Sequence, residues 1–117
     1  MPIEERTSGA VTILDLSGKV TLGAGDTMLK DKIHSLLYQG RKNILLNLSH
    51  VQSLDSAGLG ELVSAYTTMT REGGVVKLLG LTNRVQNLLS ITKLLTVFET
   101  HDNEADAVRS FSPAAKV

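Results

Sequence analysis

The sequence predicts an α/β fold: a mixed sheet of four to five strands with an N-terminal β-hairpin and about four helices. Three observations point there. Short β-branched and apolar runs alternate with stretches of helical periodicity, which implies mostly parallel strands joined by right-handed crossovers. Two strand-like runs at the N-terminus are separated only by Gly9-Ala10, a turn that makes the pair antiparallel. The run Ile44-Leu45-Leu46-Asn47-Leu48 is apolar on both faces, as in a strand covered from both sides. The resulting order is β-β-α-β-α-β-α-(β)-α.

Each element has its own signal. Ile3 to Ser8 is a short first strand, and Val11 to Leu16 a second, closed by Ser17-Gly18. From Asp26, Leu29, Ile33, Leu36 and Leu37 fall at helical spacing, and Gly40 stops the helix. After the buried strand, a helix starts near Asp55-Ser56, with Leu59, Leu62, Val63, Tyr66 and Met69 as its inward stripe, and ends at Gly73-Gly74. Val75 to Leu79 is a strand stopped by Gly80. Thr82 caps a helix whose Val85, Leu88 and Leu89 face inward. Val97-Phe98 reads as a last short strand, and Asn103 to Phe111, with Ala105, Ala107 and Val108, as a closing helix.

Composition narrows the function. A chain of 117 residues suits one domain, here 1–117, with an ordered core of about 3–111 and a frayed tail at 112–117. Twelve basic and twelve acidic residues cancel, against a direct nucleic-acid binder or a protein held to anionic lipid by charge. Two Phe, two Tyr and no Trp leave little for base stacking. The absence of Cys excludes disulfides, thiol nucleophiles and zinc-thiolate sites. The start Met-Pro-Ile-Glu-Glu-Arg is acidic where a signal peptide is basic, and no stretch reads as a membrane span, so a cytoplasmic location with no membrane insertion is expected.

Catalytic constellations are absent from the pattern. His34, His50 and His101 stand far apart, without metal-ligand spacing, and read as surface or edge residues. Gly23-Ala24-Gly25 opens a Gly-x-Gly, but residue 28 is Met where a dinucleotide fingerprint needs glycine, leaving a flexible connector. No cofactor and no enzymatic activity are expected.

The segment Val51 to Leu62 is different. Gly58 and Gly60 occupy the opening turns of a strongly periodic helix, although each Gly costs about 1 kcal/mol relative to Ala in a helix interior. The pair implies that another chain comes close to the backbone there. From local chemistry Ser56 is an N-cap that accepts an amide hydrogen. The same helix end carries unpaired N–H groups and partial positive charge, which suit a phosphate. A nucleophile elbow would need Gly at position 54, which is Leu.

Asp55-Ser56-Ala57-Gly58-Leu59-Gly60, preceded by Asn47-Leu48-Ser49-His50-Val51, resembles the signature of STAS domains of the bacterial anti-sigma factor antagonist type. The likeness runs from about Ile3 to Phe111, through Gly18, Gly73-Gly74, Leu79-Gly80 and Glu104-Ala105. It implies the STAS fold and a partner switch. Such antagonists bind an anti-sigma factor that is also a serine kinase, releasing the sigma factor. The kinase phosphorylates the serine matching Ser56, and a metal-dependent serine phosphatase reverses the step. The resemblance makes Ser56 the phosphate acceptor, with Thr21, Gly23, Asp26, Asp55, Ala57, Gly58, Leu59 and Gly60 as the partner surface.

The chain departs from the family at Thr21, three residues after Gly18, where many relatives carry an acid. The departure implies an altered partner surface, or Asp26 as the substitute acid. Ala57, where many relatives have a second Ser, leaves one acceptor in the motif. The alternative is a constitutive STAS subunit of a signalling or lipid-transport assembly, in which Ser56 only caps.

Overall fold

The computed structural model describes residues 2–111, and within them the backbone but not the side chains of 24–26; the tail expected at 112–117 lies outside the described residues. The chain runs β1 (Ile3–Ser8), β2 (Val11–Val20), α1 (Ala24–Tyr38), β3 (Asn43–Leu54), α2 (Ser56–Arg71), β4 (Val75–Leu79), α3 (Asn83–Ile91), a 3-10 turn (Leu94–Thr96), β5 (Thr100–His101) and α4 (Glu104–Ser110). The strands lie in sequence order in one five-stranded sheet. β1 pairs antiparallel with β2, and every other pairing is parallel. Hairpin, helix count and mixed sheet are those expected.

The strands feed two cores because successive side chains alternate between faces. Leu14 and Leu16 of β2 and Ile44, Leu46 and Leu48 of β3 pack with Leu29, Ile33 and Leu36 of α1, Leu62 and Met69 of α2, and Val85 and Leu89 of α3. On the opposite face Val11, Ile13, Leu45 and Leu79 meet Ala107 of α4, with Val108 and Phe111 alongside. The double apolarity of β3 has this cause: helices cover both its faces.

Polar ties fasten α4 to its face. The Arg6 guanidinium forks onto Asp15 (Nε to Oδ2 2.6 Å, Nη2 to Oδ1 2.9 Å) and onto Glu104 at the start of α4 (2.8 and 3.1 Å). These bonds from Arg6 hold the carboxyls of Asp15 and Glu104 below the usual range. Asn47 donates a further 2.8 Å bond to Asp15. At the other end of α4 the buried Lys77 ammonium donates to the Ser110 carbonyl and hydroxyl, both at 2.9 Å, pairs with Glu99 at 3.0 Å and lies 4.7 Å from the Phe111 ring centre.

Four boundaries differ from expectation. β2 continues through Ser17-Gly18 to Val20, and β3 continues past Leu48 to Leu54. Past Asp15 the two strands stay paired through shifts in register, matching Gly18 with Val51, Lys19 with Ser53 and Val20 with Leu54. Lys19, His50 and Gln52 are exposed there, while Val20 and Val51 stay buried against the helices. Polar residues on the open face hid the extension.

The last strand is Thr100–His101, not Val97-Phe98. Phe98 is apolar because it enters the core, edge-on to Tyr66 at 5.3 Å, while the ladder is made by bonds from Leu78 N–H to the Glu99 carbonyl and Gly80 N–H to that of His101. Helix α1 begins at Ala24, two residues before Asp26, on a Gly23 N-cap whose φ of 103° favours glycine.

Candidate functional site

The long β2 and β3 carry their C-terminal ends to the place where α2 begins. Leu54 ends β3, and Asp55, in extended conformation, caps a helix of 16 residues that starts at Ser56. Asp55 uses both carboxylate oxygens. Oδ1 accepts the Gly58 N–H at 2.9 Å, which is the N-cap bond. Oδ2 accepts the Leu22 N–H at 3.0 Å, across 33 residues of sequence. The carboxylate therefore closes the first turn of α2 and fastens the β2–α1 loop to it. The N–H groups of Gly58 and then Leu22 hold its pKa below the ordinary value.

This corrects the local reading of Ser56. Asp55 is the cap, and Ser56 is the first residue of the helix, exposed to solvent. Among the described residues no hydrogen bond engages its hydroxyl. The group sits on a helix N-terminus whose amide dipoles favour negative charge, beside a carboxylate that opposes it.

The two glycines have different surroundings. A Cβ built on Gly58 would overlap the Val20 carbonyl oxygen and come within 2.8 Å of Leu54 Cδ1, because the first turn of α2 rests on the end of β2. The close approach expected at Gly58 is made by this chain itself. Gly60 is exposed, one turn beyond Ser56, and a Cβ there meets none of the described residues within 4 Å. Leu59 points inward with Leu62, Ala65 and Met69, and Ala57 is half-buried.

The other expected site residues lie in or after the loop that Asp55 holds. Thr21 and Gly23 flank Leu22, with Thr21 half-buried and Gly23 exposed. Asp26 lies in the first turn of α1, and its side chain is outside the described residues. The structure thus gathers Asp55, Gly58 and the Thr21–Gly23 loop directly around the start of α2. Leu22 is not among the expected site residues, although the resemblance places its loop near Ser56; it is 77% exposed while its backbone is pinned. Its only sequence signal is an apolar residue set in a glycine-rich loop. Among the described residues no group of three or more His, Asp and Glu side chains is placed to share a metal ion, and no helix is long and apolar enough to cross a membrane.

The family model of the STAS domain matches residues 2–107. The chain belongs to the STAS domain family. It is 26% identical to an anti-sigma F factor antagonist of Paenibacillus polymyxa over 108 residues, 92% of each protein. The crystal structure of a Thermotoga maritima protein assigned as an anti-sigma factor antagonist superposes on this STAS domain with a TM-score of 0.86, at 25% identity and 92% coverage of both chains. The Bacillus cell fate determinant SpoIIAA in its phosphorylated form shares the fold with a TM-score of 0.75, over 95% of this chain and 100% of that one, at 16% identity. In this STAS domain the signature Asp55 to Gly60 forms the β3–α2 junction.

Proposed function

We propose that this STAS domain is an anti-sigma factor antagonist. It binds an anti-sigma factor that is also a serine kinase, frees the sigma factor, and is switched off by phosphorylation of Ser56. The observation that carries the reading is the exposed Ser56 hydroxyl, left free of capping because Asp55 caps the helix. The relative of Paenibacillus polymyxa, named for antagonism of an anti-sigma factor, supports the partner class.

In the transfer step the Ser56 oxygen bonds to the γ-phosphorus of ATP, the bond to the β-phosphate oxygen breaks to leave ADP, and the hydroxyl proton departs. The product carries about −1.5 to −2 charges and three acceptor oxygens. Within the chain the α2 terminus accommodates this charge with about 0.3–2 kcal/mol of stabilisation, opposed by Asp55. At a docked surface the unmatched charge must be desolvated, and like charges there cost several kcal/mol. A loss of about 3 kcal/mol weakens binding roughly a hundredfold, which releases the partner without a change of fold. A metal-dependent serine phosphatase restores the hydroxyl. Such a system operates in the cytoplasm.

The test is incubation of the chain with each serine-kinase anti-sigma factor of its source genome and ATP, followed by mapping of added phosphate by mass spectrometry. Modification at Ser56, abolished in Ser56→Ala, is expected, with weak kinase binding by Ser56→Asp and persistent binding by Ser56→Ala. Equal affinities for all three proteins would overturn the switch. Stable capture of a non-kinase partner, unaffected by Ser56→Asp, would point to a constitutive subunit.

A further inference from the structure

We propose, resting on the reading above, that Leu22 is the apolar anchor of the antagonist on its kinase partner, and that Asp55 is the positioning residue that presents it. An exposed leucine alone signifies little, since apolar atoms make up much of any protein surface. Leu22 differs through its backbone. Its N–H is held at 3.0 Å by Asp55 Oδ2, and Asp55 adjoins the acceptor Ser56. The side chain is nevertheless 77% exposed, and Gly23, which follows it, offers no side chain to shield it.

The occupant follows from the acceptor. A kinase that brings the γ-phosphate of ATP to Ser56 must cover the start of α2, and the loop tied to that start lies within the same footprint. Gly60, open on the first exposed turn beyond Ser56, keeps the helix low, while Leu22 stands out from the loop. A fixed apolar projection beside a flat helix face fits a protein surface with one apolar pocket near its phosphate site. Being pinned beforehand, Leu22 loses less freedom on binding than a residue of a free loop.

Asn at position 55 separates the two duties of the carboxylate. Asn caps a helix as well as Asp does, but it has one acceptor oxygen, so Asp55→Asn keeps the Gly58 bond and gives up the Leu22 bond. Tyr38 is the control. It is 94% exposed, more than Leu22, but lies at the far end of α1, about 20 Å along a helix of 15 residues.

The experiment measures affinity of the full chain for the serine-kinase anti-sigma factor that modifies it, by calorimetry, together with the rate of phosphate incorporation at Ser56. Leu22→Ala is expected to weaken binding about ten- to a hundredfold, the scale of burying one leucine side chain. The loss should persist at high salt, which screens charges but not apolar contacts. Asp55→Asn should weaken binding about two- to tenfold. The double variant should bind no more weakly than Leu22→Ala, since Asp55 acts through Leu22. Tyr38→Ala should bind as the unmodified chain does. Binding of Leu22→Ala within twofold of the unmodified chain overturns the anchor while leaving the phospho-switch standing. A fully additive double variant overturns the positioning role. If the unmodified chain is neither bound nor phosphorylated at Ser56 by any such kinase, the functional reading fails, and the anchor with it.

Discussion

Gly58 and Gly60 stand two residues apart in one motif, and each gives up helix stability in the same helix, yet they answer to different demands. Gly58 is buried against the end of β2, where the Val20 carbonyl occupies the place of a side chain. Gly60 is exposed and has no described residue where its side chain would stand. The first is required by this chain's own packing. The second meets no close neighbour among the described residues, and under the proposed function its open side faces the partner. The contrast divides the signature into a part that builds the junction (Asp55, Gly58, Leu59) and a part that faces outward (Ser56, Gly60).

The strongest way to sharpen that division is Gly58→Ala. The added methyl must push α2 away from β2, and forcing a group into filled space costs about 1–3 kcal/mol. The helix preference of Ala, about 1 kcal/mol at most, offsets only part of this. A clear fall in the urea midpoint is expected, without any partner present. An unchanged midpoint would mean that the junction yields easily, and the division would lose its first member.

Acid should weaken the junction and the α4 face together. The carboxyls of Asp55, Asp15 and Glu104 are all held below their ordinary values, by the Gly58 and Leu22 N–H groups in the first case and by Arg6 in the others. A carboxylate with depressed folded pKa contributes stability that is fully present above its unfolded pKa, about 3.9 for Asp and 4.3 for Glu, and is lost as pH falls through the folded value. The urea midpoint should therefore be flat from neutral pH to about pH 5 and fall below about pH 4. Asp55→Asn and Asp15→Asn should each flatten that fall. A midpoint that rises on acidification would contradict the arrangement.

Arg6→Ala probes a region that belongs wholly to the fold. It removes both forks, from β1 to Asp15 and to Glu104 of α4, between partly exposed groups. A destabilisation of about 1 kcal/mol or less is expected for such pairs. If Ser56 is the phosphate acceptor proposed above, its phosphorylation should proceed at the unmodified rate, since the ties lie on the α4 face of the sheet. A change in that rate would mean that the two faces communicate.

What could be read from the sequence follows the same division. Strand β3 was legible because Ile44, Leu45 and Leu46 are all apolar, and both faces of the sheet are in fact covered. The Thr82 cap and the stop at Gly73-Gly74 were legible because they act within a few residues of themselves. The second duty of Asp55 was not, since its Oδ2 meets an N–H 33 residues away and only the fold brings the two together. Ser56 was assigned the cap on chemistry that Asp55 shares, and the backbone chose the earlier residue. Phe98 passed for a strand residue because burial in a core and burial in a sheet demand the same side chain. The glycine pair reads as a close approach by another chain, whereas Gly58 is approached by Val20 of this chain and Gly60 by none of the described residues; the two look alike until Val20 is placed.

Gly60→Ala has the smallest expected effect on the fold and the most pointed meaning. The new methyl meets none of the described residues, so the substitution should stabilise the helix by about 0.4–1 kcal/mol through lower unfolded-state entropy and better helix preference. Thermal unfolding should shift upward by a few degrees at most. If the face of α2 beside Ser56 is where a kinase docks, the same methyl stands in the interface, and affinity should fall although the protein is more stable. Opposite signs for stability and binding cannot come from partial unfolding, the usual reason for lost affinity in a variant. A variant that is more stable and binds equally well would instead place the docking footprint elsewhere and leave Gly60 without a use. Paired with Gly58→Ala, which lowers stability before any partner arrives, the experiment assigns each glycine to its own demand.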